Sequence, residues 1–207
     1  MIIFVKKVQK DFIILMKNRL AAIKYNQVSF RKGLNEMPAL NMKNVESPSI
    51  SYSSGLLVSI LLRYPEIVTI SCSQQQQTIS LKFLVNRKID YFDSLQNKIT
   101  QAIELYHSLE GTKFSLLEIE KNEQNFDSLI IARDLKSITL GEMNLIIEMI
   151  KAEIGEYLII DESDLAEDEL ILQEEIINHM LNMIHSNGTE NSITAIRDDG
   201  RVLVFNR

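Results

Sequence analysis

Few residues in this chain are equipped for covalent or metal chemistry. It holds one cysteine, Cys72, and three histidines, His107, His179 and His185. Cys72 falls in phase with Val68 and Ile70 on an alternating segment, the place of a small core residue. A catalytic thiol needs a base and an electropositive setting, and no local partner offers either. His179 and His185 stand six apart in one helical segment, which turns them away from a shared metal. His107 lies beside the apolar stripe of another helix, as a partnered or exposed side chain. The run Asp161-Glu162-Ser163-Asp164 looks like a calcium loop but fails at both defining positions. Its sixth residue is Ala166 where glycine is needed and its twelfth is Leu172 where glutamate is needed. No catalytic constellation, metal set or cofactor motif emerges. The sequence therefore reads as that of a non-enzymatic protein without a cofactor.

Two features point to binding instead. Ser51, Ser53, Ser54 and Gly55 precede an apolar helical run, where free backbone amides are able to cradle an anion or metabolite. No lysine follows at the P-loop spacing, and helix capping accounts for the same serines. The second feature is charge. Residues 1–36 carry eight Lys or Arg against Asp11 and Glu36, a net of +6, and the remaining 14 basic and 26 acidic side chains give −12. No Lys or Arg occurs between Lys151 and Arg197. The acidic residues of that window, Asp161, Glu162, Asp164, Glu167, Asp168 and Glu169 above all, are the expected contact for a basic protein partner. The same surface repels a phosphate backbone, so no nucleic acid is expected on the 37–207 body. RNA reading on a sheet needs exposed aromatics, whereas Phe83 falls in the buried phase.

The basic segment 1–36 admits three readings. Lys6, Lys10, Lys17 and Lys24 cluster on a helical wheel opposite apolar Ile and Leu, as in an amphipathic helix that lies on an anionic membrane surface. Lysines interrupt it too often for a membrane span. The chain is also Ile- and Asn-rich and poor in Ala, and Arg31-Lys32-Gly33 is encodable as a purine-rich bacterial ribosome-binding site just before Met37. A misassigned start, with Met37 as the natural one, is the preferred expectation, the membrane-surface helix is the second, and any RNA contact falls to these same residues.

These residues must be held by one acidic domain over 37–207. The 45% hydrophobic and 24% charged composition is that of a globular chain. A single cysteine suits a reducing compartment, and a cytoplasmic location is expected. After an extended lead-in to residue 52, a helix is predicted from Gly55 to Arg63, ended by Pro65. A hairpin of 67–73 and 78–86 follows, then a helix over 91–109 with Gly111 beyond its end. Next come strands over 112–120 and 126–133 and a helix opened by Thr139 and Glu142 as a capping box. A short strand over 157–160 leads to a long helix to Ser186, its start capped by Asp164 and Glu167, and a hairpin over 192–206. The two ββα units repeat at an offset of about 48 residues, with Ser80-Leu81 over Ser128-Leu129. Segment 78–160 has the β-α-β-β-α-β order of a split βαβ domain. The expected class is thus α+β, a mainly antiparallel sheet in a ferredoxin-like variant, extended by an N-terminal helix and hairpin and by a C-terminal helix plus β-hairpin.

Overall fold

A computed structural model describes residues 52–123, 127–161, 165–189, 191–198 and 200–206. The basic segment 1–36, the lead-in with Ser51, and Glu162, Ser163 and Asp164 of the acidic run lie outside the described residues.

The fold is α+β. Its elements run α1 (Tyr52–Arg63), β1 (Thr69–Ser73), β2 (Thr78–Val85), α2 (Phe92–Glu110), β3 (Leu117–Asn122), β4 (Asp127–Asp134), α3 (Leu140–Ile154), α4 (Glu167–Asn187), β5 (Ile193–Asp198) and β6 (Arg201–Asn206). The strands form one antiparallel sheet in the order β3-β4-β2-β1-β5-β6.

Alternation of side chains decides which face is covered. Ile70 and Cys72 on β1, Ile79, Leu81 and Phe83 on β2, Leu129 and Ile131 on β4, and Ile193 and Ala195 on β5 are buried and aligned across the strands. Helix stripes meet this face through Leu95, Ile99 and Ile103 of α2 and Met143, Ile147 and Ile150 of α3, while α1 and α4 pack together over β1 and β5. Residues of the opposite phase, among them Ser80, Lys82, Leu84 and Ile196, are only half-buried.

The central seam carries the repeat. Lys82 pairs with Ile130, 48 residues further on, and the pairs Ser80↔Ala132 and Leu84↔Ser128 exchange under the same offset. The hairpin β1–β2 with α2 and the hairpin β3–β4 with α3 are therefore related by a pseudo-twofold axis through Lys82 and Ile130.

Four expectations need correction. No strand spans 157–160; a 3-10 turn over Gly155–Tyr157 leads to a single bridge, Val85↔Leu158, backed by Ile159 N to Leu84 O at 2.9 Å. The reason is that β1 already occupies that flank of β2 as far as Lys82, leaving only the last residues of the strand free. Strand β3 starts at Leu117 rather than 112, because Ser115 and Leu116 give their amides to Asp134 and Thr112 gives its own to His107 O. Helix α1 starts at Tyr52, not Gly55, so Ser53 lies within it and its Oγ sits 2.8 Å from Thr189 Oγ1 at the far end of α4. Helix α4 starts at Glu167 with Ala166 as its N-cap; Glu169, not Glu167, turns back to accept from the Ala166 amide at 3.2 Å. By contrast, Gly111 ends α2 in the left-handed region at φ +65°, where a side chain is disfavoured.

Candidate functional site

The connection after α1 is built by local chemistry. Pro65 cannot continue the helix, so Tyr64 and Glu66 turn toward α3. Tyr64 Oη donates to Asn144 Oδ1 at 2.5 Å, which fixes the connection against the middle of α3. Burial, opposed by Arg63, raises the Tyr64 phenol above its ordinary range and keeps it a neutral donor. The far wall comes from Ile160 and Asp161, which follow the bridge at Leu158, and from Leu165 and Leu170 at the start of α4. Between the walls lies an open groove of about 460 Å³, lined also by Arg63, Ile147, Glu148 and Lys151.

Its floor is apolar and its rim is charged. Ile147 is buried, whereas Ile160 is 45% exposed and neighbouring Ile171 is 53% exposed. The cations on the rim already have partners. Arg63 donates through Nε to Glu174 at 2.8 Å, and Lys151 Nζ lies 2.8 Å from Glu148 and 3.7 Å from Glu66. The hydrogen bond that Lys151 donates to Glu148 comes first among the effects that raise its amine. Carboxylates beyond these pairs belong to the first turn of α4, where Glu167 and Asp168 are exposed at the positive end of the helix dipole.

The acidic residues predicted as a contact thus separate. Glu167 and Asp168 face solvent in the first turn of α4, the helix whose Leu170 lines the groove, while Glu169 serves the helix start. Asp161 is tied inward: its Oδ2 accepts from Gly200 N at 3.1 Å and lies 4.0 Å from Arg197 Nη1. Burial is the main influence on Arg197 and lowers its pKa. Of the predicted anion cradle, Ser53 and Gly55 are buried inside α1, and Ser54 is half-buried with an interaction of its own.

A polar cluster that the sequence reading missed lies elsewhere, under α2 and α3. Arg133 follows Leu129 and Ile131 in the inward phase of β4 and has no exposed surface. Its Nε donates to Glu142 Oε1, Nη1 to Leu116 O and to Asp134 Oδ1 (2.6 Å), and Nη2 to Ser137 Oγ (3.0 Å) and Glu142 Oε2 (3.1 Å). His107 places Nε2 3.1 Å from Glu142 Oε2 and Nδ1 2.7 Å from Thr112 Oγ1. Glu142 therefore does not complete the predicted capping box. Thr139 Oγ1 accepts from its amide at 3.1 Å, but its carboxylate turns into the core. The available signal was a charged residue in the inward phase of an apolar strand, which demands a buried counter-charge. With its groups satisfied and buried, the cluster joins β4, α2 and α3 and offers no space for a substrate.

A second, larger cavity of about 570 Å³ lies between the 87–91 connection and the end of α3. Of its charged lining residues, Glu153 accepts from Lys98 Nζ at 2.7 Å, and Arg87 donates to Tyr157 Oη at 3.1 Å while stacking on its ring. Cys72 is buried beside Ile79 and Ile193, and burial pushes its thiol up to about 12. Among the described residues no group of three His, Cys, Asp or Glu is placed to hold a metal ion, and no helix is long and apolar enough to cross a membrane. No protein-family model, curated protein or solved structure matches this chain.

Proposed function

We propose that this chain is a non-enzymatic protein-interaction module whose acidic-rimmed groove receives a basic, partly apolar segment of a protein partner. The observation that carries the reading is the groove between Tyr64–Glu66, α3 and the start of α4, with its apolar floor. Its own cations are engaged by carboxylates, so the excess charge offered by Glu167 and Asp168 is negative. Exposed Ile160 and Ile171 add apolar surface beside that charge, the combination that takes an amphipathic segment. A net charge of −12 over residues 37–207 supports the same partner and disfavours a nucleic acid.

The alternative of an anion or metabolite sensor at Ser51–Gly55 draws less support, since Ser53 has a partner in Thr189 and Gly55 is buried within α1. An enzyme of dispersed carboxylates draws support from none of the groups described above. A cytoplasmic location remains part of the proposal, supported by one buried unpaired cysteine. So does a ferredoxin-like reading of the sheet. In that arrangement the strand flanking β2 opposite β4 comes last in the chain, whereas here β1 fills the place from the front, as in a circular permutation. A membrane-surface role for residues 1–36 concerns residues outside those described.

The test is fluorescence anisotropy of an amphipathic lysine-rich peptide with the full chain at low and moderate salt. Saturable binding that weakens with salt is expected, with a loss of about tenfold, roughly 1.4 kcal/mol, on the double reversal Glu167→Lys, Asp168→Lys. Binding indifferent to both salt and charge reversal overturns the reading.

A further inference from the structure

We propose that Glu66 is the recognition point of the groove and that it takes the side chain of a lysine or arginine from the bound segment. The inference rests on the protein-binding reading and names what the surface selects. Glu66 is only 7% exposed, it lines the groove, and its Oε2 is buried without a hydrogen-bond partner. A buried acceptor without a donor carries the full cost of its desolvation, and a larger one when it is charged.

The neighbouring cations do not answer it. Lys151 approaches the other oxygen, Oε1, at 3.7 Å and is held more closely by Glu148 at 2.8 Å. Arg63 is engaged by Glu174. Arg197 feels Glu66 through space, yet its Nη1 sits against Asp161 and its Nε and Nη2 have no partner of their own. Oε2 therefore lacks a donor within the chain, and one that arrives through the groove reaches it as the Glu66 side chain turns its carboxylate outward.

The walls specify the rest of the guest. Ile147, Ile160, Leu165 and Leu170 offer aliphatic surface along the approach, which suits the methylene stem of a long basic side chain. Glu148 and Asp161 line the groove with Glu66 and favour a positive charge over a neutral amide of the same shape. A lysine ammonium or an arginine guanidinium would donate to Oε2 while apolar neighbours in the segment cover Ile160 and Ile171.

The experiment titrates isotope-labelled full-length protein with acetylated, amidated nonapeptides of Leu, Ile and Ser that carry one central Arg, Lys or citrulline. Citrulline keeps the outline of arginine and removes its charge. The Arg and Lys peptides are expected to shift the NMR signals of Ile147, Ile160, Leu165 and Leu170 saturably. Citrulline is expected to bind at least about tenfold more weakly, about 1.4 kcal/mol. In Glu66→Gln the ratio should fall to within about twofold, with a circular-dichroism spectrum like that of the parent. Should that variant not fold, Glu66→Asp keeps the charge, withdraws the acceptor by one methylene and is expected to narrow the ratio as well. If the parent takes Arg and citrulline equally, or if Glu66→Gln keeps the full preference, the role of Glu66 is overturned. Salt-sensitive binding of basic peptides would then still uphold the acidic surface. Failure of every basic peptide to bind overturns both readings.

Discussion

A guanidinium without exposed surface is stable only while its donors are answered, and Arg133 shows how narrow that condition is. Glu142 alone accepts from two of its nitrogens, so Glu142→Ala leaves a buried charge facing an empty place. A loss of about 3–5 kcal/mol is expected, which at roughly 2–4 °C per kcal/mol lowers Tm by about 6–20 °C. Thermal unfolding followed by circular dichroism checks it. The apolar pair Arg133→Met, Glu142→Leu should recover much of that loss, because it removes both charges together. Cys72 makes the opposite kind of expectation. A thiol held near 12 by burial has almost no thiolate at pH 8. Its labelling by a disulfide reagent should be slow in buffer and complete within the mixing time in urea; rapid labelling of the folded chain would contradict its place in the core. The phase of Cys72 was legible because alternation with Val68 and Ile70 is a local signal. The partners of Arg133 were not, since Glu142 and His107 come from other elements and their side chains meet only in the fold.

At the scale of elements, caps and connections matter more than strand interiors. Asp134 closes β4 and holds the Ser115 and Leu116 amides that lead into β3. Burial by itself would raise its carboxyl, but hydrogen bonds from Ser137, Arg133 and the Leu116 amide outweigh that and hold it at about 2. Its folded pKa lies below the unfolded value of about 3.9, so the stability it adds is fully present above pH 4 and is lost as pH falls toward 2. With screening by solvent this is on the order of 1 kcal/mol. Asp134→Asn should flatten the fall of the urea midpoint between pH 4 and 2, and an unchanged slope would sink the idea. Elements with a local mark were readable: Thr139 before α3, Gly111 after α2, the period-two run of β2 and the apolar run of β4. What failed was decided by competition. Residues 157–160 have strand composition, but β1 holds the flank of β2 they needed. Ser53 has the composition of a cap, yet the helix extends past it and its hydroxyl meets Thr189, 136 residues away. The groove was half legible in the same sense. Its acidic rim stands in the sequence as a block, whereas Glu66 and the α3 wall join it only because Tyr64 docks on Asn144.

Among the described strands, three hairpins are closed by short connections and two seams, β2–β4 and β1–β5, are not. Strands β1–β2, β3–β4 and β5–β6 each pair across a few residues, while β2 and β4 meet in a register that no turn dictates. Their match must be found by two preformed hairpin–helix halves sliding against each other, with Leu81 opposite Ile131 as buried guides. Joining partners this distant in sequence carries a loop-closure cost before any contact offsets it, so the β2–β4 and β1–β5 pairings are the expected slow steps of folding. Leu81→Ala and Ile131→Ala are therefore expected to slow refolding in stopped-flow experiments. Val202→Ala, in the late hairpin, should chiefly hasten unfolding. The pseudo-twofold axis through Lys82 and Ile130 is in this light an expected kinetic gate, one of the two seams at which distant parts of the chain must recognise each other.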